Sequence, residues 1–165
     1  MADAIEPEVS DAAGTARLID LLKEAKKLAQ EYYALTGRPL GITGEVAEYE
    51  AARLLGLTLT PVRTEGYDAT RVVGAGIEKL QIKGRCLAEN PKPGQRLGAI
   101  RRNKPWDVAI LVLLNQRYEA TAIWEADRRA VLAALDVPGS KARNERGALG
   151  VAKFKAIGRQ TWPTA

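Results

Sequence analysis

Gln81, Ile82 and Lys83 stand in the stretch Glu78 to Lys83, whose apolar residues Leu80 and Ile82 alternate with polar ones. That alternation predicts a strand on which Gln81 and Lys83 share one face. Thirteen residues upstream, Asp68 opens a second strand-like stretch that runs to Val73 and turns back through Gly74-Ala75-Gly76. A carboxylate facing an amide oxygen, with a lysine two residues further on, suits a hard divalent cation beside a phosphate. The corresponding chemistry is phosphodiester hydrolysis, which needs an acidified water and stabilisation of added negative charge in the transition state. The triplet alone is weak, since Glu24-Ala25-Lys26 has the same form. That twin lies inside a helical pattern with no strand partner, so context discards it.

Composition narrows the alternatives. The chain has no histidine, which removes imidazole-based triads and histidine-ligated metal sites. A single cysteine, Cys86, rules out an internal disulfide and a cysteine-cluster zinc site, and fits a reducing, cytoplasmic setting. Carboxylate, lysine and tyrosine chemistry remains, with magnesium as the natural partner. The longest apolar run, Val108 to Leu114, is far short of a membrane span, and the acidic N-terminus lacks the layout of a signal peptide. Charge is divided unevenly. Residues 1–50 hold ten acids and five bases, whereas residues 51–165 hold ten acids and twenty bases. A basic body of this kind suits a polyanion, or simply a solvated surface.

The elements that must position these residues follow from periodicity. Residues 1–13, acidic and Ala-rich with Pro7, are expected to be disordered, and 14–165 to form one domain. Apolar spacing predicts helices over Ala16–Leu35 and from an N-cap at Thr43 to Leu55, stopped by Gly56. Strands are expected over Leu57–Arg63, Asp68–Val73, Ile77–Lys83, Asp107–Leu114 (buried on both faces) and Tyr118–Trp124. Helices are expected over Ala126–Leu135 and Leu149–Ile157, separated by a break at Val137-Pro138-Gly139-Ser140. Ala88 to Lys104 reads as a long basic loop. The expected class is α+β, with a mixed central sheet of about five strands flanked by helices.

Glu45 on the second helix, in Gly41-Ile-Thr-Gly-Glu45, then Gly66-Tyr67-Asp68 and Gln81-x-Lys83, together resemble the PD-(D/E)xK nuclease superfamily. The glutamine variant is similar to the Mrr-type restriction branch, which cleaves modified DNA. The likeness spans about residues 41–125, with Trp106-Asp107-Val-Ala-Ile-Leu at the place of the next core strand. Tyr67 stands where the family's proline would be, and Gln81 replaces the second acid. The resemblance implies a restriction-endonuclease-like core and an Mg2+- or Mn2+-dependent endonuclease acting on DNA, in bacterial defence or repair. It implies Asp68 as the main metal ligand, assisted by Gln81 or the Ile82 carbonyl. Glu45 would be a further ligand, and Lys83 would orient the attacking water. Glu48 shares the face of Glu45 one turn on and is the alternative helix ligand.

Arg85 continues the Lys83 face, and Lys92, Arg96, Arg101, Arg102 and Lys104 populate the basic loop; these are either DNA contacts or a solvated run. Lys79 shares the Gln81 face as a phosphate contact or a solvated lysine, while Glu78 lies on the opposite face. Lys153, Lys155 and Arg159, led by Arg143 and Arg146, form a second basic strip. Trp106, Trp124 and Trp162 are expected in the core. A homodimer bringing two sites to two strands, or a separate targeting subunit, completes the set of expected partners. The competing classes are a non-catalytic DNA-binding module of the same fold and a basic domain that docks an acidic protein.

Overall fold

The strand Val108–Leu114 (β4) is buried at every position, and the rest of the fold is arranged around it. In the computed structural model, described over residues 12–37, 39–61, 64–137 and 147–164, six strands lie in the order β1 to β6. The others are Thr58–Leu59 (β1), Ala69–Val73 (β2), Gly76–Cys86 (β3), Ala120–Asp127 (β5) and Arg159–Trp162 (β6). Every neighbouring pair is antiparallel except β3 with β4, which run parallel with Gln81 opposite Ala109 and Lys83 opposite Leu111. The fold is therefore α+β with a mixed sheet, flanked by helices Ala12–Thr36 (α1), Thr43–Leu55 (α2), Arg128–Asp136 (α3) and Val151–Ile157 (α4).

Each face of β4 supports its own core. Val108, Ile110, Val112 and Leu114 join Leu80, Ile82 and Ala69 under Val46, Ala47 and Ala51 of α2. Ala109, Leu111 and Leu113 join Val131 of α3 and Phe154 of α4 on the opposite side. Two-sided burial is why this strand reads as an unbroken apolar run.

Parallel strands need a crossover. Here residues 87–107 supply it, and they contain the basic loop Ala88 to Lys104. Leu97, Ile100 and Trp106 pin it to the second core, exposed by 4% or less. The Leu97 amide donates to Leu149 O (2.9 Å), the Ile100 amide to Gly147 O (3.0 Å), and the Val151 amide to Gln95 O (2.8 Å). Gly147 has φ +71°, and a Cβ there would meet Ile100 O at 2.1 Å, so only glycine fits.

Several expectations need correction. The sheet has six strands rather than about five, because β6 closes its far edge. The strand expected over Leu57–Arg63 shrinks to Thr58–Leu59; Arg63 lies outside the described residues. The strand expected over Tyr118–Trp124 starts only at Ala120, because Tyr118 takes φ 58° in the turn, and it runs on to Asp127. Ala126 is therefore in a strand, paired with Ala109, and Asp127 caps α3 by accepting from the Ala130 amide. Thr43 is the first helical residue of α2, and Ile42 occupies the cap position without a side-chain bond. Helix α1 begins at Ala12, α3 at Arg128 and α4 at Val151. The break at Pro138-Gly139-Ser140 and residues 1–11 lie outside the described residues.

Candidate active site

Asp68 is held where three strands meet. Its amide donates to Leu80 O (2.8 Å), and its carbonyl accepts from the Thr60 amide (2.9 Å) and the Thr60 hydroxyl (3.0 Å). Its Oδ2 accepts from the Ile82 amide at 2.7 Å. Strand β3 outruns β2, whose pairing stops at Ala69 opposite Leu80. The Ile82 amide therefore meets a side chain instead of a backbone carbonyl. Amide and carbonyl of one strand residue point to the same edge, so the Ile82 carbonyl faces the Asp68 end too.

Gln81 and Lys83 share a face with Ala109 and Leu111, their register partners, which belong to the second core. Gln81 is 6% exposed, and its Oε1 is buried with no hydrogen-bond partner among the described residues. An unmet buried acceptor costs about 1–3 kcal/mol, a cost that a cation ligand would not leave standing. Lys83 is half-buried under the crossover, where a Cβ on Gly98 would sit 3.9 Å from its Cδ. Burial lowers the Lys83 pKa, Asp68 and Glu48 oppose that shift, and Arg101 adds to it.

Glycine at position 84 brings helix α2 onto this strand. A Cβ on Gly84 would stand 2.5 Å from the Ala47 methyl and 2.8 Å from Thr43 O. The first turns of α2 thus rest on the β3 backbone beside Lys83, and Glu48 follows one residue after Ala47. Burial first, then Asp68 and Glu45, push the Glu48 carboxyl up to about 7, while Lys83 works in the opposite direction. Of the two helix acids, Glu48 is half-buried and couples to Asp68 and Lys83, whereas Glu45 is exposed in the first turn of α2. The third acid of that helix, Glu50, is buried elsewhere and bound by Lys26 (3.2 Å) and Arg53 (2.7 Å).

Among the described residues no three carboxylate or cysteine side chains gather closely enough to cage a metal. The available donors are the Asp68 and Glu48 carboxylates, the Gln81 amide oxygen and the Ile82 carbonyl. An all-oxygen set with two carboxylates fits magnesium, which retains several waters and needs no full protein cage.

The basic residues divide into used and available cations. Arg96 donates to Ala148 O (3.1 Å), Arg102 pairs with Asp136, and Lys104 pairs with Glu65 (3.1 Å). Arg85 is steered by Gln95 Oε1, with its Nε at 3.1 Å. Lys92 and Arg101 are exposed and have no carboxylate partner among the described residues. Lys79 stands 5.3 Å over the Tyr67 ring, so Tyr67 supports a lysine. Glu78 is structural, bound by Arg71, which also holds the buried Glu125. Lys155 lies 5.6 Å over Trp124, Lys153 and Arg159 are exposed, and Arg143 and Arg146 lie outside the described residues. Trp106 is fully buried, its Nε1 donating to Arg101 O (2.8 Å); Trp124 and Trp162 pack against the two cores.

Sequence reasoning missed Gly84, Gln95 and Arg128. Arg128 donates to the Lys104 and Trp106 carbonyls (both 2.8 Å) and stacks on the Trp106 ring (4.6 Å), fastening the end of the crossover. A glycine inside a strand was the signal available for Gly84; nothing local distinguished the other two. No family model matches the chain, and no curated protein matches it at significant similarity.

Proposed function

We propose that this chain is a divalent-metal-dependent deoxyribonuclease with a restriction-endonuclease-like core. What supports the proposal is the electrostatic coupling of Asp68, Lys83 and Glu48 beside the strand that carries Gln81, whose buried Oε1 is unmet among the described residues. Asp68 Oδ1 and Gln81 Oε1 would hold Mg2+ or Mn2+, and the Ile82 carbonyl lies on the same edge. A bound cation acidifies its water and offsets charge on the phosphate. Lys83 orients the attacking water and meets the phosphate oxygens. Its partial burial strengthens both contacts, because water screens them less. Glu48, with its carboxyl near neutrality, takes up the water's proton or joins the ligand set. Exposed Lys92 and Arg101, with Arg85 behind them, lie on the crossover side of the sheet, where a DNA backbone would run.

Manganese titration followed by electron paramagnetic resonance tests the metal site directly. One saturable site is expected in the wild type and none in Asp68→Ala. A site that survives Asp68→Ala sinks the ligand assignment. The second reading, a DNA-binding module without catalysis, is favoured by the absence of a third clustered carboxylate among the described residues. It predicts salt-dependent DNA binding with no metal uptake.

A further inference from the structure

Helix α1 carries two apolar rows, and the described residues cover only one. Ile19, Leu22, Lys26, Ala29 and Tyr33 face inward; Ala29 is buried, the others are half-buried, and Lys26 reaches Glu50. Roughly a quarter to a third of a turn away lies a second row, Leu18, Leu21, Ala25, Leu28, Tyr32 and Leu35. Its steps are three, four, three, four and three. All but Ala25 are exposed, Leu28 by 63% and Leu35 by 80%. Alternating steps of three and four make the 3.5-residue period of a helix that lies along another helix. A helix that only roofs its own core needs a single row, and an exposed stripe of this size marks an interaction surface.

We infer that α1 is a dimerisation helix whose outer row forms a parallel two-stranded seam with α1 of a second copy of this chain. Flanking charge and area select this occupant. In the parallel, in-register pairing every seam residue meets its own counterpart. The flanking Arg17, Glu24 and Glu31 then face the uncharged Leu22, Ala29 and Thr36 positions. An antiparallel pairing with full overlap would instead set Glu24 against Glu31 twice. From Leu18 to Leu35 the seam runs about 26 Å. A strip of that length covers on the order of 500 Å² per copy, about 1,000 Å² in all, at the threshold of a specific interface. The association is therefore reversible and concentration-dependent. It does not rest on the nuclease assignment.

Sedimentation equilibrium of the full chain, from micromolar to several hundred micromolar, tests the inference. A monomer–dimer equilibrium is expected, with Kd on the order of 10 µM. The Leu21→Glu/Leu28→Glu variant should stay monomeric with unchanged circular dichroism, since both side chains are exposed. In a Cys86→Ser background, Leu28→Cys should oxidise to a covalent dimer, while Lys23→Cys, on the opposite side of the helix, should not. A wild type that remains monomeric throughout would overturn the inference, including the case where a different protein's helix takes the row. Dimerisation that survives the double substitution would do so as well. Dimerisation in which Leu28→Cys fails to cross-link would overturn the parallel seam.

Discussion

Gly84 and Ala47 are in backbone-close contact: a Cβ on Gly84 would lie 2.5 Å from the Ala47 methyl. This contact sets the distance between α2 and β3, and so between Glu48 and the Asp68–Lys83 end of the sheet. Gly84→Ala must push the helix outward, at about 1–3 kcal/mol of overpacking. The melting temperature should fall by about 2–4 °C per kcal/mol. Gly98→Ala, whose new methyl makes only ordinary contact with Lys83, is the control and should leave it within about 1 °C. Equal melting temperatures for Gly84→Ala and wild type in calorimetry would show that the helix is not seated on the strand.

Glu48 predicts a pH signature in the metal-free protein. Its folded pKa, about 7, is raised above the ordinary 4.5, so the folded state holds the extra proton between those values. The stability this proton contributes is fully present below about pH 4.5 and is lost as pH rises through about 7. Glu48→Gln keeps the neutral shape at every pH. Thermal melts should therefore coincide near pH 4.5, while near pH 8.5 the variant should melt about 2–4 °C higher. A variant no more stable than wild type near pH 8.5 would show that Glu48 is neither held out of water nor crowded by Asp68 and Glu45. Metal binding draws on the ionised carboxylate, so manganese affinity should also rise with pH up to about 7.

Gln81 separates stability from function. Its buried Oε1 has no partner among the described residues, and Leu fills a similar volume without the polar group. Gln81→Leu should leave the melting temperature unchanged or raise it by about 2–4 °C. The same substitution should weaken manganese binding about tenfold or more. A large loss of stability would mean that the amide oxygen already serves a structural partner.

The parts that the sequence made legible are those whose signals are local. Helix α2 runs from Thr43 to Leu55 as its spacing implies, because Gly56 takes the left-handed stop with φ 66°. Strand β4 is buried on both faces, as its unbroken apolar run requires. Asp68 reaches the Ile82 amide, between Gln81 and Lys83, because a short hairpin fixes the register of β2 and β3. What the sequence hid is long-range. The span Ala126–Asp127 looks helical, yet pairing with Ala109 and Val108 keeps it in β5. That Glu48, and not Glu45, is half-buried and coupled to Asp68 and Lys83 depends on how α2 docks on Gly84. The basic loop reads as one cationic surface, but Arg96, Arg102 and Lys104 are bound to groups on distant segments. Only tertiary structure reveals which charges remain available.

Cleavage of supercoiled plasmid in Mg2+ or Mn2+, comparing wild type with Asp68→Ala and Lys83→Ala and measuring DNA affinity alongside, tests the central claim most directly. Nicking should require the metal and fall at least about a hundredfold in each variant, with DNA binding retained. Equal cutting by all three proteins, or no cutting by the wild type with either metal on modified or unmodified DNA, would contradict it.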